Sequence, residues 1–149
     1  MAQYLSNELA GTTTGTSTAA GTGYRPNASV YMARMKRMRA TITLASQTTS
    51  DTLLIGNLPP GATFAYGVLT TTVSLGSSTL ALGISGTAGK YRAAATFTAT
   101  DTPTFFGTAA QVGAASPLSA EEAVIGTIAA ATMPSSGTLV VDLYYTMPN

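Results

Sequence analysis

The sequence predicts an all-β chain, an antiparallel β-sandwich, jelly-roll-like, with about eight strands and an extended N-terminal arm. Three observations lead there. Apolar residues recur in short runs with a period of two, as in Met38, Ala40, Ile42 and Leu44 set against Arg37, Arg39, Thr41 and Thr43. Clusters of Gly, Pro and Ser punctuate those runs. The 149 residues suit one domain, and 27 Thr, 25 Ala, 15 Gly and 13 Ser make up more than half of them. The surface must therefore be mostly small and hydroxylated.

The chain divides near residue 29, into an arm over 1–29 and a β-sandwich domain over 30–149. Within the arm, Thr12-Thr-Thr-Gly-Thr-Ser-Thr-Ala-Ala-Gly-Thr-Gly23 is low-complexity sequence without a periodic apolar face. It cannot bury enough surface to offset its ordering entropy on its own. Tyr4, Leu5 and Leu9 offer one short apolar patch, and Tyr24-Arg25-Pro26 marks the junction with the folded body. A loose terminus is one reading. The other, which we favour, is an arm that orders on a neighbouring subunit, with a reach of roughly 95 Å when stretched.

Strand signals begin at Val30. Residues Tyr31 to Met38 are ambiguous, because Met32, Met35 and Met38 also fit a helical spacing; a strand is expected there. Thr52-Leu-Leu-Ile-Gly56 is a short apolar run that ends at Asn57-Leu-Pro-Pro-Gly61, a turn in which two residues lack an amide donor and Gly61 permits positive φ. Thr63 to Val73 is a long β-branched and aromatic stretch with Gly67 as a bulge or bend. Leu75-Gly-Ser-Ser78 reads as a turn. Strands then follow over Thr79–Ile84, Lys90–Ala99, Thr104–Phe106, Ala123–Met133 and Gly137–Thr146. Helix signals are thin: Ser119-Ala-Glu-Glu122 looks like a capping sequence, good for one turn at most before Gly126 and Thr127 favour strand.

Composition excludes several kinds of chemistry. With neither Cys nor His, the usual zinc, copper, haem and iron–sulfur sites have no ligands, and Ser–His–Asp or Cys–His catalysis has no base. Glu121 and Glu122 are the only adjacent carboxylates, and as strand neighbours they point to opposite faces. No loop has calcium-ligand spacing, and Gly83-Ile-Ser-Gly-Thr-Ala-Gly89 lacks the Lys-Ser/Thr of a phosphate loop. Neither an enzyme nor a cofactor is expected. No apolar run is long enough to span a membrane as a helix. The start Met1-Ala-Gln-Tyr4 lacks the basic and apolar segments of a secretory signal, so synthesis in a host cytoplasm is expected.

Four of the seven basic residues, Arg34, Lys36, Arg37 and Arg39, fall within six positions. Such a run can be a solvated strand face or a contact with an acidic protein surface. Nucleic acid is the weakest reading, because phosphate contacts are salt-sensitive, the net charge is only +1, and the basic residues interleave with Met rather than aromatics. Polarizable Met side chains suit a protein interface. The candidate interface residues are thus Tyr4, Leu5, Leu9, Tyr24, Arg25, Arg34, Lys36, Arg37 and Arg39.

Most of Phe64, Tyr66, Phe97, Phe105, Phe106, Tyr144 and Tyr145 should fill the space between the sheets, since Ala and Thr leave a thin core. Tyr144 and Tyr145 point oppositely, so one faces out, beside Met147. Only 29 residues are Leu, Ile, Val or Phe, and charged residues are 9% against about 25% in a typical soluble domain. Such a chain should gain stability by packing on copies of itself, with a symmetric trimer as the expected arrangement.

Three segments carry a resemblance. Asp51-Thr-Leu-Leu-Ile-Gly-Asn-Leu-Pro-Pro-Gly-Ala-Thr-Phe64, Leu75-Gly-Ser-Ser-Thr-Leu-Ala-Leu-Gly83 and Gly137-Thr-Leu-Val-Val-Asp-Leu-Tyr-Tyr145 resemble the turn and strand pattern of small virion structural proteins of tailed bacteriophages. The similarity covers roughly residues 40 to 146 and has no counterpart for the arm. It implies a β-sandwich subunit at a capsid surface, commonly a decoration or cement protein whose partners are the major capsid protein and itself. Another virion part (neck, tail or fibre base) is the alternative. A carbohydrate- or host-binding module comes last, because sugar sites usually show aromatic platforms and Trp is absent.

Overall fold

The computed structural model describes residues 33–113 and 117–147. The proposed arm and its residues Tyr4, Leu5, Leu9, Tyr24 and Arg25 lie outside the described residues. Eight strands run in order: β1 (Arg34–Thr43), β2 (Thr52–Leu58), β3 (Thr63–Thr71), β4 (Thr79–Ile84), β5 (Thr87–Thr96), β6 (Thr104–Phe106), β7 (Glu122–Ala129) and β8 (Thr138–Met147), with a short helix α1 (Ala109–Gly113) after β6.

The strands form two four-stranded sheets, ordered β1-β8-β3-β6 and β2-β7-β4-β5, and each pairing within them is antiparallel. Consecutive strands β1, β2 and β3 alternate between the sheets, and the last strand returns between the first and third. This is the double Greek key of a jelly roll. Side chains from the two inner faces meet as one core. Leu139, Val141 and Leu143 of β8 are wholly buried, as are Leu80 and Leu82 of β4 and Val124 of β7. Phe64 of the first sheet meets Tyr91 of the second with ring centroids 4.9 Å apart, and Phe106 lies 6.4 Å from Phe64 on its other side. Aromatic bulk therefore closes one end of a core otherwise built of Leu, Val and Ile.

Each of the eight expected strand segments is a strand, but several ends move. β5 starts at Thr87, before Lys90, because Ile84 and Thr87 pair across a tight Ser85-Gly86 turn. β7 ends at Ala129 and not at Met133, since Ala130 takes a positive φ of 66° and turns the chain. The turn at Pro59-Pro60-Gly61 is as expected: Gly61 has φ 81°, and the Ala62 amide donates to the Pro59 carbonyl at 3.1 Å.

Two local expectations are corrected. The β3 bulge lies at Ala65, between Phe64 and Tyr66 in the β8 register, and not at Gly67. Gly67 is needed for a different reason: a Cβ there would sit 2.0 Å from the Phe106 ring, whose far edge reaches over the bare backbone. The helix is also elsewhere. Ser119–Glu122 leads straight into β7, whereas α1 starts after Thr108. There the Gln111 side chain accepts from the Thr108 amide at 2.9 Å and the Gln111 amide donates to the Thr108 hydroxyl at 3.4 Å, a reciprocal capping box.

Candidate interaction surface

The basic run of β1 is divided by the strand's alternation. Met38, Ala40 and Ile42 pack against the core, which turns Arg37, Arg39 and Thr41 to the outer face of the first sheet. Arg34 and Lys36 share the phase of Met38 but lie beyond the core, and both are exposed. Because β1 is an edge strand, charged side chains along it also discourage pairing with stray strands.

Arg39 is already engaged. Its Nε and Nη2 donate to the two oxygens of Asp142 on β8 at 2.7 and 2.6 Å, a bidentate pair between residues directly opposite in the ladder. Asp142 is buried although it faces outward. The hydrogen bonds from Arg39 hold its carboxyl below the usual range against the opposing effect of burial, and the charges of Arg39 and Arg37 add to this.

A second ionic group ties β5 to β7 across the end of β4. Lys90 Nζ donates to both oxygens of Glu122 at 2.5 and 2.6 Å, and the Tyr91 hydroxyl donates to Glu122 Oε2 at 2.6 Å. Burial pushes the Glu122 carboxyl up, but the hydrogen bonds from Lys90 and Tyr91 and the charge of Lys90 outweigh it, so the group ionises below its ordinary value. Burial and the Glu122 carboxylate together push the Tyr91 hydroxyl far up.

These shifts give stability a dependence on pH at both ends. Asp142 and Glu122 have lowered folded values, so their contribution is complete above the ordinary carboxylate range and is lost as pH falls through the depressed values. Tyr91 has a raised value, so its contribution is complete below its ordinary value of 10.0 and is lost as pH climbs beyond it. Melting temperatures should be level around neutrality, fall below about pH 4 and fall again above about pH 10. Tyr91→Phe should flatten the alkaline limb and, by removing one hydrogen bond that holds the Glu122 carboxyl down, make the acid limb shallower as well. A melting temperature that is constant from neutrality down to strong acid would contradict the assignment.

The first sheet also carries an outer row of large side chains. Tyr66 of β3 stacks on Tyr144 of β8 with centroids 4.6 Å apart and planes 16° from parallel. On the other side Tyr66 meets Phe105 of β6 at 5.8 Å, and its hydroxyl donates to Met35 Sδ of β1 at 3.8 Å. Arg37 lies directly opposite Tyr144 in the ladder. Phe105 is 72% exposed and Met35 53%. Of the aromatics expected inside, Phe64 and Phe97 are buried and Phe106 and Tyr145 pack on the core, but Tyr66 and Phe105 join Tyr144 outside. Met147 packs with Tyr145 on the core side, so the outward Tyr144 has Tyr66, and not Met147, as its neighbour.

Among the described residues no group of three or more His, Cys, Asp and Glu side chains is placed to hold a metal, and no helix is long and apolar enough to cross a membrane. Neither a protein-family model nor a curated protein matches the sequence. Solved structures do. The fold is similar to a chain in the capsid asymmetric unit of cyanophage Pam1, with TM-score 0.64 and 23% identity over 78% of this chain and 86% of that one. It is similar to a chain in the capsid of Ralstonia phage GP4, with TM-score 0.61 and 21% identity over 78% and 86%. It is also similar to a chain in the acid-stable capsid of the Helicobacter pylori bacteriophage KHP30, with TM-score 0.56 and 13% identity over 77% and 89%. The chain thus has the β-sandwich fold found in the capsids of three phages.

Proposed function

We propose that this chain is a non-enzymatic virion structural protein that binds the major-capsid-protein lattice from the capsid surface and stabilises it as a decoration or cement protein. The observation that carries the reading is the near-complete overlap of its jelly roll with chains from phage capsids, which it covers over 86% or more of their length. Composition is consistent with it: a near-neutral chain with 9% charged residues is poorly protected from association by charge repulsion. On this reading the mechanism is mechanical. Area buried across coat-protein junctions, with residues 1–29 as a tie between subunits, opposes outward pressure on the shell. Self-association, with three copies as the expected number, supplies the burial that a thin core lacks.

The test is the amount of this chain in gradient-purified particles, measured by quantitative mass spectrometry against the major capsid protein. An amount comparable to the coat protein is the expected result. A trace amount would move the chain to a neck, tail or fibre base, and absence would overturn a virion role.

A further inference from the structure

The outer row of the first sheet has a composition and a charge pattern that together select a kind of partner. The row crosses the whole sheet, from Phe105 on edge strand β6 through Tyr66 and Tyr144 to Met35 and Arg37 on edge strand β1. Its members hold one another, so little side-chain freedom is left to lose on binding. Aromatic, Met and Arg side chains are those enriched at protein interfaces. This face could have been built of Thr, as it is further along the same strands at Thr41 and Thr70.

Charge decides what covers it. Among the described residues the one carboxylate on this face, Asp142, is consumed by Arg39. Arg34, Lys36 and Arg37 are exposed at the end of β1, Arg37 alone of them on the outer face beside the row, and no ion pair joins any of them to a carboxylate among the described residues. Arg37 thus borders the exposed apolar strip on its own face, and Arg34 and Lys36 add positive charge at the same strand end from the opposite phase. A single-stranded nucleic acid would need free ring faces to stack on, but Tyr66 and Tyr144 occupy each other's faces and Met35 covers the hydroxyl end of Tyr66.

We infer that the outer face of the first sheet, centred on Tyr66, Tyr144 and Phe105 and bordered by Arg37, docks onto an acidic protein surface with an apolar hollow. This rests on the proposed function, which makes that surface part of the coat lattice, and adds which face of the sandwich meets it. The apolar strip supplies the desolvated centre. The basic edge supplies orientation and a dependence on salt.

The experiment is cosedimentation of the full chain with shells of the major capsid protein assembled without it, at low and moderate salt. Phe105→Ser and Arg37→Glu alter side chains that are exposed, so folding should be unaffected, which melting curves verify. Each variant should weaken binding about tenfold or more, and Arg37→Glu should also reduce the salt dependence. Leu54→Ser is the control, because Leu54 is 67% exposed on the other sheet; it should bind as the unmodified chain does. If Phe105→Ser and Arg37→Glu bind as tightly as the unmodified chain, or Leu54→Ser weakens binding equally, the docking face is wrong while the proposed function stands. If the unmodified chain fails to sediment with shells, the proposed function fails and takes this partner with it. If the two variants lose retention of a labelled oligothymidylate but keep that of shells, the face serves nucleic acid and the inference is overturned.

Discussion

Replacing Phe64 by alanine is expected to destabilise the chain by about 3–5 kcal/mol, the largest loss from any single truncation considered for this fold. Phe64 is 5% exposed, and its ring joins Tyr91 of the second sheet to Phe106 of the first. Its removal therefore opens a cavity between the sheets and also frees the Phe106 ring that covers Gly67. The neighbouring β8 backbone is held in two ladders, so the site cannot collapse to fill the gap. A domain of this size has about 5–15 kcal/mol of stability in all, so about a fifth of it or more would go. Urea unfolding read by the shift in midpoint measures the loss. Phe105→Ala, 72% exposed, serves as the comparison and should stay within about 0.5 kcal/mol of the unmodified chain. Equal midpoint shifts for the two variants would mean that the aromatic cluster does not carry the sheet contact.

Deleting residues 1–29 is expected to leave the sandwich folded and to weaken its retention on shells about tenfold or more, by loss of a tethered second contact. Among the described residues, the first side chain packed on the core is Met38 and the first fully buried one is Leu44, so the deletion removes none of them. Melting curves of the shortened chain should overlay those of the full chain, while cosedimentation with shells separates the two. Retention equal to that of the full chain would return residues 1–29 to a loose terminus.

Much of the sandwich was legible in the sequence because its inner and outer positions differ sharply in kind. In β1 and the residue after it, the alternation of Met38, Ala40, Ile42 and Leu44 with Arg and Thr is the alternation of core and outer face. The outer aromatic row was not legible, for a specific reason. Period-two counting puts Phe64 and Tyr66 on one face, but the single-residue bulge at Ala65 reverses the phase between them, so one ring goes into the core and the other out. Nothing in Ala65 itself announces a bulge, and the glycine that drew attention two residues later answers to Phe106 instead.

The ionic groups were hidden by sequence separation. Arg39 and Asp142 are 103 residues apart, and Lys90 and Glu122 are 32 apart. They meet only because β8 pairs with β1 and because β4 brings β5 and β7 to its two sides. The cap of α1 was different: Thr108-Ala-Ala-Gln111 is a capping-box sequence. It was eclipsed by the acidic pair at Glu121-Glu122, which the fold uses for other ends. Glu121 accepts from the Asn57 side-chain Nδ2 at 2.9 Å, and Glu122 holds Lys90 and Tyr91.

The measurement that bears most directly on the central claim is the copy number of this chain in intact, gradient-purified particles relative to the major capsid protein. The account predicts a copy number of the same order as the coat protein, retained when particles are washed at moderate salt. Particles that contain none of this chain, although it is made in the infected cell, would contradict the claim.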